Sequence, residues 1–194
     1  MNELTGPLAA AAELEAFCKG HGWRFCFIGG IAVQRWGAPR FTQDVDLTLL
    51  TGFGGERQFV DTLLDRFRGR LSNTRLFALE RRVLLLRTAG GVPLDISLSG
   101  LPFEEASIGR ATPWKIADAL AITTCSAEDL VIYKVFAARD RDWSDVESVL
   151  ARRHGQLNLA HIRGELAPLL ALKGDPAARE KLERMIAAVD GYLR

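Results

Sequence analysis

The segment FIGGIAVQRWGAPRFTQDVDLTLL, residues 27 to 50, constrains this chain more than any other. RFCFI, residues 24 to 28, is a short apolar run stopped by Gly29-Gly30, the pattern of a strand buried on both faces. Residues 31 to 36 leave room for a helix of under two turns, because Gly37 and Pro39 stop it. The chain then returns into TQDVDLTLL. Side chains alternate along a strand, so Asp44 and Asp46 share one face while Val45, Leu47 and Leu49 share the other. Such a strand turns its back to a core and its acids to an open face.

A second segment repeats the design. VLLLR, then Ala89-Gly90-Gly91, then VPLDISLS read as a hairpin, and in its second arm Asp95, Ser97 and Ser99 alternate with Leu94, Ile96 and Leu98. If the two acidic strands are neighbours, at about 4.8 Å, Asp95 lies beside Asp44 and Asp46. Three carboxylates so placed repel one another unless cations fill the space. Hard divalent ions with oxygen ligands, Mg²⁺ above all, suit an all-carboxylate site that leaves room for phosphate oxygens. Two such ions activate an attacking hydroxyl and stabilise a leaving pyrophosphate in an in-line phosphoryl displacement. Gly29-Gly30, between strand and helix, adds unhindered amides and a positive dipole end, both suited to a nucleoside triphosphate (NTP) substrate.

Composition excludes several other classes. Nearly half of the 194 residues are hydrophobic, enough for one sizeable core, or for a core with a helical appendage, and against disorder. With 25 Lys and Arg against 24 Asp and Glu, no global basic field holds a long nucleic acid, so any such contact is local. Cys18, Cys26 and Cys125 are odd in number and lack CxxC spacing, which excludes a disulfide framework and a zinc site and fits a reducing cytoplasm. Acids at Glu3, Glu13 and Glu15 and the lack of a long apolar run argue against a signal peptide or a membrane span. The loop GGIAVQ lacks the second glycine of a dinucleotide-binding turn, and no GKS or GKT marks a P-loop.

Around this centre the periodicity predicts helices over 7 to 20 and 56 to 68, and beyond about residue 125 helices only. Ser126 with Asp129 resembles a capping box opening a helix to about Ala138. Further helices are expected over 143 to 153, 159 to 172 and 176 to 193. The expected architecture is α/β, a mixed sheet with flanking helices over residues 1–122, followed by a C-terminal helical region, 123–194.

Three motifs in order, Ile28-Gly29-Gly30, Asp44-Val45-Asp46-Leu47 and Leu94-Asp95-Ile96, resemble the signatures hG[GS], [DE]h[DE]h and h[DE]h of the DNA polymerase β-like nucleotidyltransferase superfamily. Arg40-Phe-Thr42-Gln-Asp44-Val-Asp46, with EDLVIYKVFAARDRDWSDV in the tail, is most similar to the AbiEii-type nucleotidyltransferase toxins of abortive-infection and toxin-antitoxin systems. The resemblance covers about residues 25 to 150. It implies a nucleotidyltransferase fold, metal-binding acids at Asp44, Asp46 and Asp95, and functional roles for the helix lysine Lys134 and the following Asp145. It also implies an NTP substrate, a cognate antitoxin as partner, and tRNA as acceptor in some members.

Lys134 is the only basic residue in LVIYKVFAA, so its ammonium either reaches out to water or meets anions such as triphosphate oxygens. Asp142 reads as the N-cap of the next helix, and Asp145 as a partner of Lys134 or substrate. Arg40 and Thr42 would share the aspartates' face if that strand starts early, and contact phosphate or acceptor. Arg139 and Arg141, with Arg152 and Arg153, are candidate contacts for a few RNA phosphates. Each residue also has a plainer account: a solvated strand face for the acids, a tight turn for the glycines, a surface arginine and an ordinary β-former for Arg40 and Thr42. The cysteines read as small apolar fillers. Two functional alternatives compete with transfer to tRNA. One is a small-molecule, antibiotic-type adenylyltransferase, in which Asp95 doubles as general base and Glu104-Glu105 receives the drug's ammonium groups. The other is a non-catalytic nucleotide-binding protein that kept the fold.

Overall fold

Strand alternation and glycine punctuation account for most of the first half of the chain. The computed structural model describes residues 6–118 and 120–192, in two units. The first comprises the chain up to Ile31 together with Phe41–Cys125, and the second comprises Ala32–Arg40 together with the chain from Ser126. The sequence reading put the division between 122 and 123 and kept Ala32–Arg40 with the α/β part.

The first unit opens with α1 (Pro7–Gly20), whose proline occupies the first turn, where a missing N–H leaves nothing unpaired. Then come β1 (Phe25–Phe27) and α2 (Gly29–Trp36), which runs on into the second unit. Gly29, at φ 56, turns the strand directly into the helix, which therefore starts at the glycine pair instead of residue 31. β2 (Val45–Leu50) follows, then α3 (Glu56–Arg66), β3 (Arg68–Gly69), α4 (Thr74–Arg81), β4 (Val83–Arg87) and β5 (Pro93–Ser99). α5 (Pro102–Arg110), β6 (Thr112–Ala117) and β7 (Leu120–Thr124) complete it. The described strands form one mixed sheet in the order β3-β4-β5-β2-β1-β7-β6. β2 runs parallel to β5 and β1 to β7, and the remaining pairs are antiparallel.

One side of this sheet is core. Leu47, Leu49, Leu84, Leu86, Leu94 and Ile96 are fully buried and belong to one cluster with Leu14, Leu63 and Ala78 of α1, α3 and α4. Each fully buried leucine contributes about 1.5–3 kcal/mol by leaving water. That burial fixes the register, because a slip by one residue would send the leucines to the open side and Asp46 and Asp95 into the core.

The second unit is helical: α6 (Ala127–Ala137), α7 (Asp140–Arg152), α8 (Leu159–Lys173) and α9 (Pro176–Tyr192). Leu193, the expected end of the last helix, lies outside the described residues. Ser126 caps α6 as the sequence predicts, its Oγ accepting the Asp129 N–H at 3.0 Å. α6 packs against the other three helices. Ala138, at φ 57, ends α6 in the left-handed region, and α7 starts at Asp140, leaving a short corner between them. Asp142 therefore lies inside α7 and is not its N-cap: the helix begins earlier than the expected residue 143, and the Asp142 carboxylate reaches back to the N–H of Arg139 at 3.3 Å. No helix among the described residues is long and apolar enough to cross a membrane.

Candidate active site

The acids of the first unit sit on the side of the sheet away from the leucine core. β2 and β5 lie side by side with Asp46 opposite Asp95, so two acidic side chains project together from adjacent strands. Asp44 does not lie on the strand, which begins at Val45; it occupies the bend just before it. Thr42 is buried in the same bend and donates from Oγ1 to Asp44 Oδ1 at 2.9 Å.

The glycine pair has a steric reason. A Cβ on Gly29 would lie 1.9 Å from Asp46 Oδ2, and one on Gly30 would lie 2.2 Å from Thr42 Oγ1. The two glycines thus make space for the two polar side chains at the start of α2. A left-handed φ at Gly29 adds a second reason for glycine there.

Asp95 has a partner that pattern reading misses. Arg70, just beyond β3, places its Nη2 on Asp95 Oδ1 in a close ion pair. Among the described residues no three or more His, Cys, Asp or Glu side chains gather as a metal site, so the expected three-carboxylate cluster is not preassembled. The donor set still fits a hard cation, since it is all oxygen, half-open, and carried on adjacent strands with a Cβ-free backbone beside it. A guanidinium beside Asp95 supplies the positive charge that such a group of acids requires.

In the second unit a chain of ion pairs surrounds Lys134. Its Nζ lies 2.8 Å from Asp142 Oδ1 and 2.8 Å from Asp145 Oδ2. Arg40 holds Asp145 with two prongs, Nε to Oδ1 at 2.6 Å and Nη2 to Oδ2 at 2.8 Å. Arg139 Nε holds Asp142 Oδ2 at 2.7 Å. The geometry follows from helix periodicity and the short corner: Lys134 is in the last turn of α6, and Asp142 and Asp145, three apart, share a face of α7. The side chains of Lys134, Asp142 and Asp145 are 8%, 1% and 3% exposed, so these charges are paired out of water. Burial alone would raise both carboxyl pKa values. Hydrogen bonds from Arg139 and Lys134 at Asp142, and from Arg40 and Lys134 at Asp145, outweigh it and hold both below the ordinary aspartate range.

Arg40 therefore answers an acid of α7 and does not share a strand face with Asp44. The arginines read as phosphate contacts are largely engaged as well: besides Arg139, Arg152 donates to the Gly37 carbonyl at 2.6 Å, and Arg153 lies 5.3 Å over the Trp36 ring. The cysteines are buried and form no disulfide, and burial, with the charge of Glu15, pushes the Cys18 thiol up to about 12. None is poised as a nucleophile.

A strand thus turns through two glycines into a helix, and an acid pair stands on the two strands beyond it. The family model described as "Nucleotidyl transferase AbiEii toxin, Type IV TA system" matches residues 14–188. The chain belongs to the AbiEii nucleotidyl transferase toxin family. It is accordingly a nucleotidyltransferase. No curated protein sequence matches it. Among solved structures it resembles an antigenic nucleotidyltransferase-like protein from Paracoccidioides brasiliensis, with 14% identity and a TM-score of 0.52 over 90% of this chain and 91% of that one. That likeness shows a nucleotidyltransferase fold for this AbiEii chain. The antibiotic-resistance factor ANT(2'')-Ia aligns at 18% identity and a TM-score of 0.43, over 95% of this chain and 90% of that one.

Proposed function

We propose that this AbiEii-family enzyme transfers a nucleoside monophosphate from an NTP to the 3′ hydroxyl of a tRNA-like acceptor, with Mg²⁺ as cofactor. The observation that carries the reading is the register pairing of Asp46 with Asp95 beside the Cβ-free backbone of Gly29. Asp44, Asp46 and Asp95 would hold the metal. When bound, the ion supplies Lewis-acid stabilisation of the phosphoryl oxygens and of the leaving pyrophosphate. The chain's own contribution is placement. Gly29-Gly30 presents the amides that open α2 to phosphate oxygens. Thr42 keeps Asp44 oriented through its 2.9 Å hydrogen bond. The acceptor oxygen bonds to the α-phosphorus while the bond to pyrophosphate breaks, and the hydroxyl proton leaves to water.

The chemistry of Lys134 suits a contact with a phosphate oxygen. An ammonium has three N–H groups, and Asp142 and Asp145 use two, which leaves one for a phosphate oxygen. Asp145, itself gripped by Arg40, is then a positioning residue for that lysine.

Charge favours RNA over a cationic drug as acceptor. A polyamine-like drug calls for free carboxylates, and Glu104-Glu105 is committed elsewhere. Glu104 Oε2 accepts the N–H groups of Gly100 and Leu101 at 2.9 Å each, and Glu105 pairs with Arg24 at 2.8 Å. The family description as the toxin of a type IV system supports a cognate antitoxin as a further partner.

The test has two arms. Mg²⁺ plus an NTP is expected to raise the melting temperature of the wild type, and Asp44→Asn or Asp46→Asn to abolish the rise. Equal responses in all three proteins would remove the metal assignment. In the second arm, each labelled NTP is incubated with total tRNA or with an aminoglycoside panel; label on the drugs and never on RNA would reject the acceptor.

A further inference from the structure

Between residues 56 and 87 the chain carries eight arginines against four acids, Glu56, Asp61, Asp65 and Glu80, although the whole protein has a net charge of only +1. The excess is concentrated at one edge of the sheet. Arg70, Arg75 and Arg82 are tied to Asp95, Asp61 and Glu56. Arg68 and Arg87 are not: both are exposed and neither takes part in an ion pair among the described residues.

These two arginines are also register partners, facing each other across β3 and β4. Like charges directly opposite on adjacent strands are destabilising, and here no carboxylate relieves them. Their direction follows from the pairing. Arg87 is two residues from Leu85, so both project from one side of the sheet; Leu85 is opposite Asp95, and Asp95 is opposite Asp46. Arg68 and Arg87 therefore stand on the same side as the acids. In the order β3-β4-β5-β2, the acidic strand β2 is three strand positions from β3, about 14 Å at the usual spacing. Arg70 stands between, with its Nε buried and without a hydrogen-bond partner.

We propose that Arg68 and Arg87 form a docking edge for the sugar-phosphate backbone of the RNA acceptor, on the side of the sheet that carries Asp46 and Asp95. The inference rests on the RNA-acceptor reading above and deepens it by naming the surface. A phosphate between the two guanidiniums removes their repulsion, and guanidinium forks match phosphate geometry. The edge is local, which agrees with a near-neutral protein that holds only a few phosphates of an RNA end.

The experiment measures binding and labelling of a tRNA-like 3′ stem as a function of salt, for the wild type and for Arg68→Ala/Arg87→Ala. The double variant is expected to raise the KM for RNA with kcat largely retained, and to flatten the slope of log K against log salt by about 0.7, the value for one single-strand phosphate contact. Its melting temperature should hold or rise, since a like-charge pair is gone. Arg68→Lys/Arg87→Lys should keep most of the slope, which a merely structural role would not require. Unchanged KM and slope in the alanine variant, with the wild type labelling RNA, overturn the docking edge alone. A wild type that labels a non-RNA acceptor and never RNA overturns the acceptor reading and the edge with it. Displacement of the RNA by polyglutamate as readily as by polyuridylate would assign the edge to an acidic protein and overturn the RNA assignment.

Discussion

Arg40 and Asp145 are joined by a two-pronged hydrogen bond, 2.6 and 2.8 Å, across 105 residues of sequence. This pairing ties the arginine of RFTQDVD to the acid of RDRDWSD, the two segments on which the family resemblance rests outside the three core signatures. It also sets the charge state around Lys134. Two carboxylates meet three cations, and each carboxylate is shared between Lys134 and one arginine.

Removing the shared cation should therefore hurt. Lys134→Ala leaves Asp142 and Asp145 buried with one guanidinium each, and breaking a buried pair in this way costs about 3–5 kcal/mol. Arg139→Ala removes a side chain that is 76% exposed, where ion pairs contribute about 0–1 kcal/mol. Urea denaturation followed by helical circular dichroism should separate the two variants clearly. Equal, small losses would mean that the network does not stabilise the helical unit.

The same network should make the helical unit acid-sensitive. Asp142 and Asp145 have folded-state pKa values below those of an unfolded aspartate, because hydrogen bonds from Lys134, Arg40 and Arg139 outweigh burial. A depressed folded pKa means that the unfolded chain takes up protons first. The stabilisation is thus present in full above the ordinary aspartate pKa, about 3.9, and lost as pH falls below it toward the folded values. Stability measured from pH 6 down to pH 2 should fall less steeply in Asp142→Asn than in the wild type. Parallel profiles would contradict the assignment.

The strand and turn chemistry of this fold is legible in the sequence because it is local. Alternation in DVDLTLL and PLDISLS gives the two-sided strands, and Gly29-Gly30 gives the junction. The tail reads as helices because its caps, Ser126 and Gly174, sit where rules for helix ends expect them. What escapes is whatever depends on strand order. Arg70 lies in RFRGR, and nothing in that run points to Asp95 until β4 is known to lie between β3 and β5. Lys134 is an intermediate case: an ammonium amid apolar neighbours calls for anions, but only the short corner through Ala138 makes Asp142 one of them. β6 escapes for a different reason, since TPWKIA carries a proline at its second position and is mostly exposed, so its apolar pattern is weak.

Gly29 offers a test with an internal control. Alanine there must adopt φ 56, and its Cβ would lie 1.9 Å from Asp46 Oδ2. Alanine at Gly52 meets a similar φ of 70 but has nothing within 4 Å. Both variants should lose about 1–2 kcal/mol for the left-handed backbone. Only Gly29→Ala displaces the carboxylate, so only it should lose the stabilisation by Mg²⁺ and NTP. Loss of that response in both variants, or in neither, would separate Gly29 from the placement of Asp46.

Arg70 should compete with a metal for Asp95. Its guanidinium is an ion partner of the carboxylate that stands opposite Asp46, and it occupies the electrostatic role that a divalent cation would take. Arg70→Ala removes that charge and leaves Asp46 and Asp95 facing each other with less compensation, so the metal-free protein should melt at a lower temperature. The same loss raises the negative potential at the site, so half-maximal stabilisation should need less Mg²⁺ than in the wild type. Arg70→Lys keeps the charge without the fork and should fall between the two. Thermal melts across a Mg²⁺ titration read both effects at once. A variant that is destabilised without metal yet needs more Mg²⁺ for half-maximal stabilisation would show that Arg70 helps to build the metal site and does not compete with the ion for Asp95.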